Sequence, residues 1–166
     1  MKTNNPSLYV GTYAKYNNGS IFGAWLDLTD YANSDDFYKA CKELHADEHD
    51  PEFMFQDFEN FPKSLYSESG NIEAIYDYID FLKSTHLSVE AVEAGFELGI
   101  PLDKLEEAYY GQCDSEADLA YEYIESTGLL QGVPETITRY FDFEAFGRDL
   151  SFDLLEENGF YFYPNH

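Results

Sequence analysis

The sequence has 166 residues, a hydrophobic content of 44%, and 33 acidic against 9 basic side chains, which gives a formal net charge of −24. A surface this negative repels nucleic acid and anionic membranes, so neither is expected as a direct ligand. An aromatic content of 18% is too high for a disordered acidic tail. We therefore expect a folded protein whose surface acids either serve only solubility or bind a basic partner.

The cellular compartment follows from two features of the sequence. No apolar run approaches the roughly 20 residues needed to cross a bilayer. Cys41 and Cys113 are far apart and form no C-x-x-C pattern. We interpret them as reduced thiols of a cytoplasmic protein, although their spacing alone leaves a disulfide open.

Residues 1–61 begin with a predicted β-hairpin. Residues 8–13 alternate between two faces, and residues 21–28 form a second β-rich run. Between them, residues 17–19 (Asn-Asn-Gly) tolerate the positive φ angles that a tight turn requires. The two runs are therefore expected to pair as antiparallel strands.

A helix and a third strand complete this first unit. Ser34 is the predicted N-cap, and apolar residues at i, i+3, i+4 and i+7 from Phe37 share one helical face. The helix is expected to end near His45. The alternating residues 52–59 predict the third strand, so the unit has the order β-β-α-β.

Residues 62–104 predict a small unit made only of helices. A segment containing Pro, Ser and Gly separates it from the first unit. An apolar stripe over residues 71–85 predicts one helix, and Ser88 caps a second helix that should bury Val89 and Val92. The stretch LDKLEEAYY begins a third.

Residues 105–166 predict a mixed unit. Residues 109–113 form a short strand, and Ser115 caps a helix that ends at Gly128. PETITRYF and DFEAFGRDLS are two further helices, and Asn158 with Gly159 is expected to end a helix before a final aromatic strand. The predicted fold class is α+β, in three small domains: β-rich with one helix, all-α, and mixed.

A candidate metal site lies at the start of the acidic stretch DEHDPEFMFQDFEN (residues 47–60), where ligands could come from His45, Asp47, Glu48, His49 and Asp50. His45 and His49 have the i, i+4 spacing of a helical zinc motif, but the helix breaks near Pro51 and no third convergent ligand is evident. No carboxylate pair, phosphate loop or activated nucleophile is evident either. We expect no enzyme and no cofactor, and keep a small metal-binding protein or enzyme using His45 and His49 as the alternative.

The charge itself has a physical counterpart in DNA. B-DNA carries one negative charge per roughly 1.7 Å of axis, so 24 net charges match about 12 base pairs. Residues 1–60, 61–104 and 105–166 have net charges of −7, −5 and −12, so the charge is not confined to a tail. A protein of this kind could compete with DNA for a basic groove without the cost of bending DNA.

Three long blocks carry a family resemblance. LYVGTYAKYNNGSIFGAWLDL, DFYKACKELHADEHDPEFMFQDFENFP and YYGQCDSEADLAYEYIESTGLL closely resemble the ArdA antirestriction proteins. The resemblance implies a DNA mimic that occupies the DNA-binding groove of the methyltransferase core of type I restriction–modification enzymes. It also implies an elongated three-domain protein that forms a bent homodimer through its C-terminal domain.

The resemblance also implies site residues. The dimer contact would be the strand at Ala108, Tyr109, Tyr110 and Gly111. The expected phosphate mimics are Asp47, Glu48, Asp50, Glu52, Asp57, Glu59, Glu106, Glu107, Asp114, Glu116, Asp118, Glu122, Glu125, Glu135, Asp142, Glu144 and Asp149. No single acid is expected to matter much, because exposed ion pairs are each worth about 0–1 kcal/mol. An acidic module for another DNA-binding protein is the remaining alternative.

Overall fold

The computed structural model describes residues 4–165 and has the predicted α+β fold class. The chain divides into two compact units, the first ending at His86 and the second beginning at Leu87. The three-domain division, with boundaries after residues 61 and 104, stays a prediction. Within residues 4–165, every helix is too short or too polar to cross a membrane.

Within residues 4–86, the first unit is a three-stranded antiparallel sheet with helices. Its strand order is β2-β1-β3. The elements are β1 (Ser7–Thr12), α1 (Tyr13–Asn17), β2 (Ala24–Asp27), α2 (Ser34–Leu44), β3 (Phe53–Glu59) and α3 (Ile72–Ser84), with short 3-10 turns at Leu28–Asp30 and Lys63–Leu65. The predicted β-β-α-β order is confirmed, with α1 inserted between the first two strands.

The core of the first unit lies between the sheet and α2. Leu8 and Val10 of β1, Phe55 of β3, and Phe37 and Cys41 of α2 are almost completely buried. The ring centroids of Phe37 and Phe55 lie 6.0 Å apart. This packing follows the predicted apolar face of α2, which is why the helix and the sheet were predictable from periodicity.

Three local predictions for the first unit were wrong. The second strand begins at Ala24, not Ile21, and the Ile21 side chain is 76% exposed. The helix cap is Asn33, whose side-chain oxygen accepts from Asp36 N at 3.0 Å, one residue before the predicted Ser34. A bulge at Gln56 of β3 shifts the register, so Phe55 and Asp57 pair with the neighbouring residues Val10 and Tyr9 and do not share one face as the alternation predicted.

The second unit, residues 87–165, packs helices on another antiparallel sheet. The strand order is β4-β6-β5. The elements are α4 (Val89–Glu97), α5 (Leu102–Ala108), β4 (Tyr109–Gln112), α6 (Glu116–Thr127), α7 (Glu135–Thr138), α8 (Phe143–Ser151), β5 (Leu155–Glu157) and β6 (Phe160–Phe162). Leu105, Leu119 and Phe162 are fully buried at its centre. The aromatic strand β6 is therefore core material.

The second unit also corrects three predictions. Asn158 and Gly159 have φ angles of 53° and 82° and form the hairpin turn between β5 and β6, where a helix end was expected. Val89 is 48% exposed, because α4 presents Ala91, Val92 and Gly95 to the core. The helix predicted for PETITRYF is only the four residues of α7. The caps at Ser88, Ser115 and Gly128 are confirmed.

Candidate partner-binding surface

The acids that the resemblance assigns to partner binding lie at the surface of the protein. All of them are exposed except Glu48 and Glu116, which are half-buried. In the first unit they occupy the acidic loop (residues 45–52, between α2 and β3) and β3. In the second unit they lie on α5 to α8 and the adjoining loops. Each unit therefore presents carboxylates to solvent.

Some of these acids also stabilise the ends of helices. Ser115 Oγ accepts from Asp118 N at 3.1 Å and donates to Asp118 Oδ2 at 2.8 Å, which forms the predicted capping pair of α6. Asp142 Oδ1 accepts from Ala145 N at 3.0 Å at the start of α8. These carboxylates remain exposed, so capping does not remove their charge from the surface.

Two assigned acids of the second unit face a basic side chain. Lys104 Nζ lies 3.5 Å from Glu107 Oε2, and Arg148 Nε lies 3.7 Å from Asp149 Oδ1. All four side chains are at least 43% exposed. Exposed pairs of this kind contribute about 0–1 kcal/mol, so a stronger cationic partner can displace the lysine or arginine.

Asp47 and Glu48 differ from the other acids because they share one half-buried cation. Lys15 Nζ lies 2.8 Å from Asp47 Oδ1, 3.3 Å from Glu48 Oε1 and 2.9 Å from His45 Nδ1. It also lies 4.8 Å from the ring centroid of Phe22. We call Lys15, His45, Asp47 and Glu48 the Lys15 cluster.

Lys15 and Asp47 are both charged at neutral pH. Desolvation of Lys15 favours its neutral amine, but hydrogen bonds and charges from Asp47 and Glu48 outweigh this and raise the pKa of Lys15. The hydrogen bond from Lys15 lowers the pKa of Asp47. The Lys15 side chain is 16% exposed and that of Glu48 is 19% exposed, whereas that of Asp47 is 66% exposed. Of the two acids, Asp47 is therefore the one that still faces solvent.

His45 is a structural residue, and this bears on the metal-site alternative. Its side chain is fully buried. The Lys15 ammonium can only donate, so Nδ1 accepts from it and Nε2 donates to Val10 O at 3.1 Å. α2 ends at Leu44, so His49 does not continue a helical i, i+4 pair. Among residues 4–165, no three His, Cys, Asp or Glu side chains are placed to hold a metal ion.

Neither cysteine lies in an environment that produces a thiolate. Burial raises the pKa of the Cys41 thiol to about 12. Burial, followed by the charge of Glu122, also raises the pKa of Cys113. Both cysteines are free and buried, so they act as packing groups.

The predicted dimer strand lies at the edge of the second sheet. β4 pairs with β6 on one side, and within residues 87–165 no strand pairs with its other side. Tyr109, Tyr110 and Gly111 are half-buried beside an open cavity of about 390 Å³ that α6 also lines. Ala108 is buried, and its carbonyl already accepts from Tyr163 N at 2.8 Å. The unpaired edge is therefore at residues 109–112.

Sequence reasoning missed the role of Lys15. The residue lies on α1, in a segment predicted as a hairpin loop, and it was counted only as one of nine bases. The available signal was Thr12, a β-branched N-cap residue whose Oγ1 accepts from Lys15 N at 3.3 Å. That signal could have located α1, but not the partners of Lys15, which are 30 to 33 residues away in the sequence.

The chain is similar to one known family over nearly its whole length. A family model described as "Antirestriction protein (ArdA)" matches residues 8–162. No curated protein matches the chain. The match includes both units and all the assigned acids, and it agrees with the resemblance found in the sequence blocks. The chain therefore belongs to the ArdA family of antirestriction proteins.

Proposed function

We propose that the protein is a non-enzymatic DNA mimic that inhibits type I restriction–modification enzymes. In this proposal it occupies the DNA-binding groove of the methyltransferase core and blocks both cleavage and the associated methylation. The observation that supports it best is the placement of the assigned acids: nearly all are exposed, and both units carry them. The family membership supports a restriction enzyme as the target.

Electrostatics gives the proposal its physical basis. The basic groove of a DNA-binding enzyme is charged to receive phosphates, and the net charge of −24 offers it a comparable load. DNA must be bent to fit the groove, and this deformation costs free energy. The inhibitor avoids that cost because its carboxylates are already in place on a folded surface. The same charge repels nucleic acid, so the protein competes with DNA and does not bind it.

We also propose that the working form is a homodimer that pairs through β4. An unpaired strand edge presents backbone donors and acceptors that a second copy can satisfy. Among the described residues, no atom lies within 4 Å of the place where a Cβ of Gly111 would lie, so the face of β4 is also uncovered at this residue. Pairing two copies would double the net charge and extend the competing surface to about 24 base pairs.

A displacement titration tests the proposed function. A purified type I methyltransferase core is bound to a fluorescent DNA duplex that contains its site, and the protein is added at low and at moderate salt. We expect displacement at near-stoichiometric concentration, weakened by salt because screening shortens the range of charge interactions. If the duplex stays bound at large excess, the proposal is wrong for this target, and the acidic surface serves another basic partner.

A further inference from the structure

The polar partners described for the Lys15 ammonium all lie on the acidic loop. An ammonium group has three N–H donors, and Lys15 Nζ has three acceptors, on His45, Asp47 and Glu48. All three belong to residues 45–52. Lys39, in contrast, is 71% exposed and pairs with its helical neighbour Asp36 at 2.7 Å. Lys15 is therefore used for long-range contacts that join separate parts of the chain.

Further contacts attach the same loop to β1 and α1. Thr12 Oγ1 donates to Glu48 Oε1 at 2.6 Å, and His45 Nε2 donates to Val10 O at 3.1 Å. At the far end of the loop, Tyr13 N donates to Glu52 O at 3.1 Å. Both ends of the loop are thus bound to the junction of β1 and α1, and Lys15 closes the middle.

We propose that Lys15 is a positioning residue for partner binding, which holds the acidic loop so that Asp47, Asp50 and Glu52 keep fixed positions in the inhibitory surface. The proposal rests on the proposed function, because it assigns the loop a place in the contact with the restriction enzyme. It makes a basic residue necessary in a protein whose binding depends on negative charge.

Charge and position predict opposite effects for the loss of Lys15. Lys15→Met keeps the apolar stem and changes the net charge from −24 to −25. If only total charge mattered, the variant would bind a basic groove as well as or better than the original protein. If Lys15 positions the loop, the acids of the loop in the variant no longer keep the positions that match the groove, and the variant binds more weakly.

The matched control is Lys39→Met, which also removes one positive charge and one Lys–Asp pair from the first unit. We expect Lys15→Met to weaken binding to the methyltransferase core at least tenfold, and Lys39→Met to leave it unchanged or slightly tighter. The loss should appear in the dissociation rate constant, because steering by net charge governs mainly association. Lys15→Arg, which retains a cation and donors, should restore part of the affinity.

Two measurements separate positioning from a general loss of folding. Hydrogen exchange should show faster exchange in residues 46–51 of Lys15→Met and unchanged exchange in β1 and β3. Stoichiometric titration with the methyltransferase core gives the fraction of inhibitor molecules that are able to bind. A merely structural role would lower that fraction and leave the dissociation rate constant of the folded molecules unchanged.

A second pair of variants applies if Lys15→Met does not fold. Asp47→Asn and Asp50→Asn each remove one exposed negative charge from the acidic loop, but only Asp47 binds Lys15. We expect Asp47→Asn to raise both the exchange of the loop and the dissociation rate constant more than Asp50→Asn does.

The outcomes distinguish the positioning role of Lys15 from the DNA-mimic function. If the original protein displaces DNA and Lys15→Met behaves like Lys39→Met, or Asp47→Asn like Asp50→Asn, the positioning role is wrong while the DNA-mimic function stands. If the original protein displaces no DNA, the proposed function and the positioning role fail together. Faster dissociation combined with a loosened loop supports the proposal.

Discussion

Gly147 of α8 lies directly against the backbone carbonyl of Glu116 at the start of α6, and a Cβ at position 147 would overlap that oxygen. The two helices pack closely at this point, and the rings of Tyr121 and Phe143 stack beside it with centroids 4.0 Å apart. The conflicting atom belongs to the backbone, so it cannot move aside as a side chain would. The backbone of Glu116, a half-buried acid, therefore limits the size of the side chain at position 147.

We expect Gly147→Ala to destabilise the second unit by about 3 kcal/mol or more, at the upper end of the usual cost of overpacking. Helix propensity alone predicts the opposite sign, because Ala is better than Gly inside a helix by about 0.5–1 kcal/mol. Urea unfolding followed by circular dichroism measures the change.

The matched control for Gly147→Ala is Gly95→Ala. Gly95 is also a buried helical glycine, but a Cβ there would meet mainly the end of the Leu105 side chain, at 2.8 Å. That side chain can adjust, so we expect a smaller loss than for Gly147→Ala. A Gly147→Ala protein as stable as the original would show that α6 and α8 separate at little cost.

The lowered pKa of Asp27 predicts how the stability of the first unit changes with pH. Desolvation disfavours its charge, but hydrogen bonds from Thr29 and Asn5 outweigh this and lower the pKa of Asp27. Asn5 Nδ2 donates to Oδ2 at 2.8 Å, and Thr29 N donates to Oδ1 at 2.8 Å. A lowered folded-state pKa gives stability that is present above the ordinary carboxyl pKa of about 4 and is lost as the pH falls through the folded value.

We therefore expect Asp27→Asn to cost about 1.5–3 kcal/mol at pH 7, the usual contribution of a hydrogen bond to a charged group. The difference from the original protein should shrink as the pH falls below about 4. Chemical unfolding at several pH values checks this. The control is Asp30→Asn, an exposed acid three residues further along, whose loss should change stability by less than about 0.5 kcal/mol. A pH-independent difference for Asp27→Asn would contradict the linkage.

Periodicity predicted most elements of this fold but not its turns. The stripes of α2 and α3 and the alternation of β3 were sufficient, because burial of one face selects the helix or strand period. The errors lie where a single residue decides. Asn158 with Gly159 is a strong hairpin signal that was interpreted as a helix end, and the bulge at Gln56 leaves no trace in composition.

The surface was predictable in a different sense. Acids are rarely buried unless they are paired, so their exposure follows from residue type. What the sequence could not show is which acids the fold neutralises. The contact of Lys15 with Asp47 and Glu48 depends on the tertiary approach of α1 to the acidic loop, which no local pattern encodes.

The β4 edge predicts how two copies pair. Because a Cβ at Gly111 would meet no atom of the described residues within 4 Å, Gly111→Glu should leave the second unit folded. In an edge-to-edge dimer it would bring two like charges together, which is destabilising. We expect the original protein to sediment as a dimer and the variant as a monomer in analytical ultracentrifugation. Ser64→Glu, which adds the same charge at an exposed site of the first unit, should stay dimeric.

The result that would refute β4 pairing is a Gly111→Glu protein that remains dimeric with unchanged dissociation constant. A monomeric original protein would refute the homodimer itself. Thermal unfolding of both variants serves as the folding control, because an unfolded second unit would also lose the dimer.

We expect the binding energy of the inhibitory surface to be spread over many acids. Neutralising exposed acids in groups tests this. The test set is Asp50, Glu52, Asp57, Asp114, Glu122 and Glu125, each changed to its amide. At about 0.5 kcal/mol for each pair, one change should weaken binding to the methyltransferase core only two- to threefold, while all six should weaken it about a hundredfold. The displacement titration measures each step.

The control set has the same charge but lies outside the assigned acids: Asp35, Glu43, Glu73, Asp77, Glu90 and Glu97, all exposed. If the acids act only through net charge, the two sets weaken binding equally. If the assigned surface makes the contact, the control set has a much smaller effect, because charges farther from the groove than about 8–10 Å are largely screened. One amide in the test set that abolished inhibition with folding intact would mean that a single contact, and not their sum, carries the affinity.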